Sequence, residues 1–433
     1  MACEQLTRLG DVIELEDVKR EPISSRDRKD RKGSYPYYGA QGIVDYLDDY
    51  TYEGDYLLVA EDGENLRSRK NPIANAASGK FRVNNHAHVI AESEKCNLVF
   101  LRHLLNMTDI SAYVTGSTQP KLSQSNLCAM KLPLPSMAEQ NAIANVLSLF
   151  DRKIELNNQL NDYLEQLVDG KFQELFGGLN FNATLSDVAE ITMGQSPAGS
   201  SYNEEGAGII FYQGRGEFGW RFPKRRLYTT EPKRLACEGD VLMSVRAPVG
   251  DLNVAFENCC IGRGLAAIHS ETPSFALYLM RFLKPQLEAY NGEGTVFGSI
   301  NGKALKSLEV ALPSHNEVMQ FESFAAPIDA LIRSNENETR KLNNLRNYLL
   351  PKLMSGEIDV SKVDLTQLTN NHLPARGHNV PNCYWKEPLW KPSLIVFCRR
   401  CRTCLIRHSS NIWPKYSESR CCQLRKHQRR RIC

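Results

Sequence analysis

Long hydrophobic segments are missing from this sequence of 433 residues. No stretch approaches the roughly 18 to 20 uninterrupted apolar residues that a membrane-spanning helix requires, so we expect a soluble protein with no membrane association. Residues 1–15 also lack the basic start and apolar run of a secretory signal, which indicates a cytoplasmic protein. The hydrophobic share of 42% still provides enough apolar material for two or three packed domains.

Catalytic motifs are missing as well. The sequence contains no G-x-x-x-x-G-K-[ST] phosphate loop, no H-E-x-x-H metal motif and no G-x-S-x-G nucleophile motif. Residues 71–74, Asn-Pro-Ile-Ala, are similar to the N-P-P-[YF] loop of amino-methyltransferases, but they lack the second proline and the aromatic residue that would stack on a flipped base. We therefore expect no catalytic residue, no metal ligand and no bound cofactor in this chain.

Cysteine and positive charge are concentrated near the C-terminus. Residues 366–433 hold seven of the 13 cysteines and 14 Lys or Arg against only Glu387 and Glu418, a net charge of +12. Residues 1–365 then carry 39 basic and 48 acidic residues, a net charge of −9. The C-x-x-C-x-x-C run at 398–404 is poor spacing for a tetrahedral zinc site. We expect residues 357–433 to be a basic, cysteine-rich tail that is disordered or a non-native extension.

The body of the chain repeats itself. Gly116-Ser-Thr leads to Leu134-Pro-Ser136 and then Glu139, and 178 positions later Gly294-Thr-Val leads to Leu312-Pro-Ser314 and then Glu317. Such a repeat predicts one structural unit made twice. Each unit contains a domain and a long helix, with domains at 1–135 and 179–313 and helices at 136–178 and 314–356.

Both long helices are predicted to begin at a capping box. Ser136 and Glu139 form the S-x-x-E pattern of the first box, and Ser314 and Glu317 form that of the second. In such a box the serine hydroxyl accepts from the third helical amide, while the glutamate accepts from the serine amide. Two boxes at equivalent repeat positions, each before a periodic apolar run, are a specific signal for helix starts.

The two helices are predicted to pack on each other as an antiparallel coiled coil. Apolar residues follow alternating steps of three and four, and each run is longer than ordinary globular helices. The predicted contact positions, which we call the seam, are Phe150, Asn157, Leu160, Leu164, Ile328, Asn335, Leu342 and Leu345. Asn157 and Asn335 occupy the same repeat position, where a polar residue either fixes the helix register or simply faces solvent at the edge of the seam.

The two remaining domains are predicted to be mixed α/β, of the α+β type. Short strand-like runs start at Gly54, Gly239 and Ser307, and Gly, Asn and Ser turns separate them. Residues 97–105 and 275–287 are predicted as short helices. The fold class is therefore two globular α/β domains joined by two long antiparallel helices, with an internal pseudo-two-fold repeat.

Each domain carries a local cluster of positive charge beside aromatic and amide residues, at 19–41 and 212–234. Arg and Lys suit phosphate and guanine contacts, and Gln and Asn suit adenine edges. A charge run is often only a solvated face, but a cluster in both repeats favours DNA binding. The candidate DNA contacts are Arg28, Lys29, Tyr37, Tyr38, Gln41, Arg67, Lys70, Gln119, Gln213, Arg215, Arg221, Lys224, Arg225, Arg226 and Arg246.

The predicted helices are acidic, with seven acids against three bases in 138–176, so they suit spacing or protein contacts better than a phosphate backbone. Two DNA-binding domains held at a fixed distance would recognise two half-sites about one duplex turn, roughly 34 Å, apart. Because the two halves belong to one chain, they can diverge and recognise different sequences.

This arrangement resembles the specificity subunit of type I restriction-modification enzymes. The matching segments are Leu132-Pro-Leu-Pro-Ser-Met-Ala-Glu-Gln140, Tyr37-Tyr-Gly-Ala-Gln-Gly42, Gly116-Ser-Thr-Gln119 and Leu350-Pro-Lys-Leu-Met-Ser-Gly-Glu-Ile358. The resemblance covers about residues 1–363, and Val318 departs from it, since the family usually has Gln there. The basic tail also departs, because members normally stop soon after the second helix.

The resemblance implies a division of labour. Each domain would recognise half of an asymmetric, interrupted target in double-stranded DNA, and the helix pair would set the spacer and bind two modification subunits. Those subunits would use S-adenosylmethionine to methylate adenine N6, and restriction subunits would add ATP- and Mg-dependent translocation and cleavage. This chain would be non-catalytic. The alternatives are a coiled-coil scaffold that binds proteins and a fused nuclease or methyltransferase with an unrecognised active site.

Overall fold

The computed structural model describes residues 6–291 and 298–360, together with two short strands beyond them. The chain divides into two compact units, residues 1–365 and 366–433. Most of the predicted tail, 357–433, therefore lies outside the described residues. Among the described residues, none of the helices combines the length and the hydrophobicity that crossing a bilayer requires.

The first domain is built on a six-stranded mixed sheet. The strands of the domain are β1 Leu6–Arg8, β2 Glu14–Leu15, β3 Lys32–Gly39, β4 Gly42–Leu47, β5 Tyr52–Ala60, β6 Ala74–Val83, β7 Ala87–Ala91 and β8 Lys131–Pro133, of which β1 and β8 form a separate antiparallel pair outside the sheet. Its helices are α1 Asn65–Ser68, α2 Leu98–Met107 and α3 Gln124–Ala129. The sheet order is β2-β7-β5-β6-β3-β4, in which only β3 and β6 pair in parallel. The predicted strand from Gly54 and helix from residue 97 are confirmed, with Asn97 as the N-cap of α2.

The first long helix, α4, runs over Met137–Phe176, and Gly177 is its C-cap. The Ser136 amide donates to Glu139 at 3.0 Å, and the Glu139 amide donates to the Ser136 hydroxyl at 3.4 Å. The predicted capping box is therefore confirmed, and the helix bounds agree with the predicted 136–178 to within two residues.

The second domain repeats the plan of the first but divides nine of its eleven described strands between two sheets, and the first and last of the eleven form a separate antiparallel pair. Its strands are β9 Ala183–Thr184, β10 Glu190–Met193, β11 Tyr202–Asn203, β12 Ile209–Tyr212, β13 Leu227–Thr229, β14 Leu235–Ala236, β15 Val241–Ser244, β16 Leu252–Val254, β17 Cys259–Ile261, β18 Leu265–His269 and β19 Glu309–Val310. Its helices are α5 Leu185–Val188, α6 Pro273–Phe282, α7 Lys284–Glu288 and α8 Gly302–Lys306. The sheet orders are β10-β18-β15-β16 and β11-β13-β12-β17-β14, and the β12–β17 pair is parallel, like β3 and β6.

The second long helix, α9, runs over His315–Met354. Its capping box is confirmed, since the Ser314 amide donates to Glu317 at 2.9 Å and the Glu317 amide donates back to the serine hydroxyl at 3.4 Å. Pro351 lies inside the last turn of this helix. Beyond residue 365, the described backbone consists of β20 Ile395–Val396 paired antiparallel with β21 Leu405–Ile406.

The two long helices pack antiparallel, as predicted. Arg346 of α9 donates to Asp151 of α4 at 2.7 Å, and further along the pair Asn335 donates to Asn161 at 2.8 Å. Because residue numbers rise along α4 as they fall along α9, the helices run in opposite directions. The Asn157 side-chain amide donates to the Thr339 hydroxyl at 3.4 Å. Since Asn157 and Thr339 lie 178 positions from Asn335 and Asn161, this contact is the repeat counterpart of the Asn161–Asn335 contact. The contacts thus come in pairs related by the internal repeat, with a pseudo-two-fold axis near Asn157 and Asn335.

The seam prediction is correct at its centre and wrong at its flanks. Asn157 and Asn335 are both buried, which answers the open question in favour of a role in register. Leu160 and Leu345, however, are 42% and 43% exposed, and Asn161 takes the place expected for Leu160. From Phe150 onward, the buried positions of α4 advance in steps of four and seven, so they depart from the alternating steps of three and four that a strict heptad requires.

The remaining seam positions lie closer to the domains. Phe150 is buried and Leu342 is partly buried, and both join the hydrophobic core of the first domain. Ile328 packs against the core of the second domain, and Leu164 is partly buried. The apolar ends of the seam therefore serve the domain cores, while its middle is polar.

Each domain core is completed by both helices. The first-domain core contains Ile143 and Leu147 from the start of α4, together with Leu350 and Leu353 from the end of α9. The second-domain core contains Phe321 from the start of α9, together with Phe172 and Phe176 from the end of α4. Each helix thus begins in one core and ends in the other, which fixes both domains to one helix pair.

Candidate functional site

Five loops of the second domain converge beside the ends of its strands. They are residues 194–198, 213–215, 245–248, 262–264 and 298–303, and we call them the second-domain loop surface. Backbone hydrogen bonds hold them together. The Gly262 amide donates to the Tyr212 carbonyl at 2.8 Å, and the Val245 amide donates to the Gly264 carbonyl at 2.9 Å. The Ala247 amide joins them to Gly298 at 2.9 Å.

This surface presents cations and amides to solvent. Gln213, Arg215 and Arg246, three of the predicted DNA contacts, lie on it and are exposed. Arg215 pairs with Asp251 through its Nε atom. Among the described residues, Arg246 and Arg263 have no carboxylate within salt-bridge distance, so their charges are available to a phosphate.

The first domain builds the same surface from equivalent loops. Residues 39–41, 61–64, 84–86 and 115–121 form the first-domain loop surface. The Asn84 amide donates to the Tyr38 carbonyl at 3.0 Å, and the Glu61 amide donates to the His86 carbonyl at 2.9 Å. These two backbone bonds repeat the first two described for the second domain. Gln41 and Gln119 are exposed on this surface, as predicted for candidate contacts.

The 115–121 loop is shaped by a glycine and held by an arginine. Gly116 has a φ of +84°, and a Cβ atom there would lie 2.2 Å from the Gln119 carbonyl oxygen, so only glycine fits. The Arg67 guanidinium donates to the Gly116 carbonyl and, at 2.9 Å, to the Ser117 carbonyl. Arg67 therefore fixes the loop that presents Gln119, while neighbouring Lys70 is exposed.

The two surfaces differ in charge at equivalent positions. Leu122 and Ile300 are 178 positions apart, and their amides donate to Glu61 and Val245 respectively. Glu61 and Val245 are therefore structural counterparts. The residues that follow them, Asp62 and Arg246, occupy equivalent positions but carry opposite charges. Asp62 bonds to His86 Nδ1 at 2.7 Å. The repeat has kept the loop framework while it changed the groups that a ligand would meet.

Two predicted contacts in the first domain have structural roles instead. Tyr37 is 1% exposed, and its hydroxyl accepts from the Ile23 amide and donates to the Glu21 carbonyl. Arg28 lies over the Tyr37 ring and pairs with Asp45 at 3.1 Å. Their assignment as DNA contacts is withdrawn, because either side chain would have to abandon these partners.

The other first-domain candidates remain open to a ligand to different degrees. Tyr38 is half-buried and packs edge-on against Phe81, with ring centroids 5.5 Å apart. Burial raises the pKa of Tyr38 above its ordinary value. Lys29 is exposed, with no ion pair among the described residues.

The basic run in the second domain is largely neutralised within the molecule. Arg221 is 4% exposed and bonds to carboxylates of both long helices, so its assignment as a DNA contact is also withdrawn. Arg225 pairs with Glu257 at 2.6 Å and Arg226 pairs with Glu217 at 2.8 Å, although both remain about half exposed. Lys224 is exposed.

The second-domain loop surface also exposes three residues that are not among the predicted DNA contacts, Gln195, Arg263 and Lys303. The Arg263 amide donates to the Ser196 hydroxyl at 3.3 Å, which links two of the loops. Arg263 stands between Gly262 and Gly264, and a cation flanked by glycines between two strands is the signal that could have identified it.

One group of metal-ligating residue types meets in the second domain, formed by Cys237, Asp240 and His269. The Asp240 carboxylate accepts from the Cys237 amide at 2.7 Å and bonds to His269 Nδ1 at 2.6 Å. The hydrogen bond to Asp240 raises the pKa of His269. Both carboxylate oxygens are thus occupied by a turn and a neighbouring strand, an arrangement that stabilises the start of β15.

The family model of the type I restriction modification DNA specificity domain matches residues 5–166 and 182–347. Each match covers one domain and most of the long helix that follows it.

Known proteins of similar sequence agree with this match. A putative type I restriction enzyme MjaX specificity subunit of Methanocaldococcus jannaschii is 30% identical over 381 residues, which are 82% of this chain and 84% of the relative. The MjaIX specificity subunit of the same organism is 25% identical over 354 residues, 71% of this chain and 80% of the relative.

A similar fold has been solved. The crystal structure of a type I restriction-modification system S subunit from M. genitalium superposes with a TM-score of 0.54 at 18% identity, covering 80% of this chain and 95% of that one. Two repeated loop surfaces on one antiparallel helix pair, together with a family match to each repeat, show that this chain belongs to the type I restriction-modification DNA specificity family and serves in DNA sequence recognition.

Proposed function

We propose that this chain binds double-stranded DNA with both domains at once, each domain recognising one half of a bipartite, asymmetric target. In this proposal the first-domain and second-domain loop surfaces contact the half-sites, and α4 and α9 set the spacer between them. The observation that carries the proposal is the duplication of one loop framework on a single helix pair. The pair holds both loop surfaces in one molecule, because the end of α4 lies in the second-domain core and the end of α9 lies in the first-domain core.

The charge difference between the loop surfaces supports an asymmetric target. Arg246 and Arg263 would supply phosphate or guanine contacts to one half-site. At the position equivalent to Arg246, the first domain has Asp62 bound to His86, and its exposed amides Gln41 and Gln119 lie nearby. A carboxylate repels phosphate, whereas an arginine binds phosphate or guanine and a glutamine amide binds adenine. The two domains would therefore favour different base edges.

Two modification subunits are proposed to bind the helix pair. A stripe of exposed apolar side chains supports this role on α4, where Leu156, Leu160, Tyr163 and Leu167 recur in steps of four, three and four. Such spacing places them on one helix face, open to a partner. In α9, Leu331, Leu345 and Tyr348 are exposed as well.

The proposed complex works in the cytoplasm and assigns its chemistry to the partners. The modification subunits would bind S-adenosylmethionine, and restriction subunits would bind ATP and Mg. The chain itself would act without catalysis, by positioning the target for the modification subunits. Purified chain that transferred methyl groups or cleaved DNA by itself would favour the alternative of a fused enzyme.

The test is an adenine-methylation map of a host genome with and without this gene, expressed together with its modification subunits. Loss of one interrupted, two-part motif is expected when the gene is deleted. The Arg246→Ala and Arg263→Ala variants should each weaken DNA binding and reduce the slope of log affinity against log salt by about 1. Arg8→Ala, at an exposed arginine of the first domain, is the control. Unchanged slopes, with no motif lost, would support a protein-binding scaffold.

A further inference from the structure

One buried arginine of the second domain joins both long helices. Arg221 follows the loop at 213–217 and is 4% exposed. Its Nη2 atom lies 3.1 Å from Glu165 of α4, and its Nη1 atom lies 3.1 Å from Asp329 of α9. A single guanidinium therefore ties a recognition domain to the two helices on which it sits.

The surroundings fix this guanidinium in one position. The Tyr278 hydroxyl accepts from Arg221 at 3.2 Å and donates to Asp329 at 3.1 Å. The Trp220 and Tyr278 rings lie 5.5 and 5.6 Å from the guanidinium carbon. The Arg221 carbonyl accepts from the Val254 amide at 2.8 Å, which anchors the backbone beside β16. Neither the charge nor the backbone can move alone.

The charges explain why the arginine is required. Arg281 also donates to Glu165, at 2.9 Å, and pairs with Asp169 at 2.6 Å. Without Arg221, the Glu165 and Asp329 carboxylates would face each other across the helix pair with one cation fewer. Removing one partner of a buried ion pair leaves an uncompensated charge, which is costly.

The first domain makes a different connection at the equivalent place. Asp151 is the repeat counterpart of Asp329, and it binds Arg102, His103 and Arg346. Arg102 and His103 belong to α2, and Arg346 belongs to α9 itself. The Arg221 connection therefore runs through a recognition segment of the second domain, close in sequence to Gln213 and Arg215.

We propose that Arg221 is a positioning residue, which holds the second domain at one angle to the helix pair and thereby restricts the target to one spacer length. This inference rests on the proposed function. One base pair more or less moves a half-site by about 3.4 Å and turns it by roughly a tenth of a helical turn. A domain that is free to tilt by a similar amount would accept neighbouring spacers.

The experiment is a genome-wide adenine-methylation map of cells that express the full chain with its modification subunits, because a genome offers both half-sites at many separations. The wild-type complex should methylate one spacing. With Arg221→Gln, the same two half-sites should remain, and the methylated fraction at spacers one base pair shorter or longer should rise about tenfold, equivalent to about 1.4 kcal/mol less discrimination. Arg8→Gln, at an exposed arginine, should leave the spacing unchanged.

A second variant guards against misfolding. Glu165→Gln removes the negative charge from one of the two helix contacts, for Arg281 as well as for Arg221, but keeps the Arg221–Asp329 pair, so a smaller gain at neighbouring spacers is expected. Weaker methylation at the original spacing alone, in both variants, would mean that Arg221 only stabilises the fold and would overturn the proposal. Full activity at an unchanged spacing would overturn it too. Absence of any bipartite motif with the wild-type chain would instead contradict the proposed function.

Discussion

At the scale of single residues, many charged side chains of the described residues form ion pairs with one another. Arg28 and Lys32 both pair with Asp45, and Arg31 pairs with Asp48 and Asp49. A run of positive charge in the sequence is thus neutralised by acids that the β3–β4 hairpin brings beside it. Cations that have no such partner in the described part of the chain, such as Arg246 and Arg263, are the ones whose field reaches a ligand.

Asp151 is the clearest case in which such pairing changes an ionisation. Burial by itself would raise its pKa, but the hydrogen bonds from His103 and Arg346 and the charges of Arg102 and His103 outweigh burial, and the pKa falls to about 2. Because the folded value lies below the ordinary 3.8, the charged carboxylate stabilises the fold at neutral pH. That stabilisation is lost as the pH falls from about 4 through 2.

The Asp151→Asn variant should therefore unfold more easily at neutral pH. A shift of nearly two pKa units corresponds to about 2 kcal/mol of unfolding free energy at pH 7. The difference between wild type and variant should shrink when the same urea unfolding is repeated near pH 3. Equal differences at both pH values would show that the ionised carboxylate contributes nothing beyond its shape.

At the scale of elements, the helix pair has apolar ends and a polar centre. The ends of α4 and α9 enter the domain cores, whereas Asn157, Asn161 and Asn335 meet between the domains. Leucines in the centre could slide past each other, but the amides bond only in one alignment. The polar centre therefore fixes the register of the helices, at some cost in stability.

Replacing one of these side-chain amides should lower the free energy of unfolding. Asn335→Ala removes the side-chain amide donor that lies 2.8 Å from the side-chain Oδ1 atom of Asn161 and leaves that buried oxygen unpaired, which should cost about 1 to 3 kcal/mol. The double variant Asn161→Leu/Asn335→Leu should recover stability, because no polar atom of the pair is then stranded. Urea unfolding measures both effects. The exposed neighbour Asn158→Ala is the control, and an equal cost at 158 and 335 would refute the role of the buried bond.

At the scale of the whole molecule, neither domain is complete without the opposite helix end. Leu350 and Leu353, near the end of α9, belong to the core of the first domain, although at least 200 positions separate them from its other buried residues, Leu9 to Phe150. This exchange of helix ends explains how two domains with separate sheets become one unit. A substitution in the end of one long helix should therefore destabilise the domain whose core contains that end.

Leu353→Ala tests this coupling. Leu353 is 4% exposed, so its truncation should cost about 2 to 5 kcal/mol. Hydrogen exchange should accelerate in β5 and α2 of the first domain and change less in β15 and α6 of the second. Leu345→Ala, at a 43% exposed position on the same helix, should leave both patterns unchanged. Equal acceleration in both domains after Leu353→Ala would contradict a local effect.

The sequence by itself determined the repeat, the two capping boxes, the length of both helices and their antiparallel direction. These features depend on contacts between residues three or four apart, or on a pattern that recurs at a fixed shift, so they are visible along the chain. The family resemblance also followed from local motifs, and the matches to residues 5–166 and 182–347 confirm it.

Only the tertiary structure decided which polar residues are available to a ligand. Tyr37 and Arg221 look like surface groups in the sequence, yet both are buried because distant partners close over them, Glu21 and Ile23 in one case and Glu165 and Asp329 in the other. Leu160 and Leu345 look like seam residues, yet both are exposed, since the buried positions of the helix pair depart from a strict heptad. Burial depends on neighbours that are far away in the chain, and no local pattern records them.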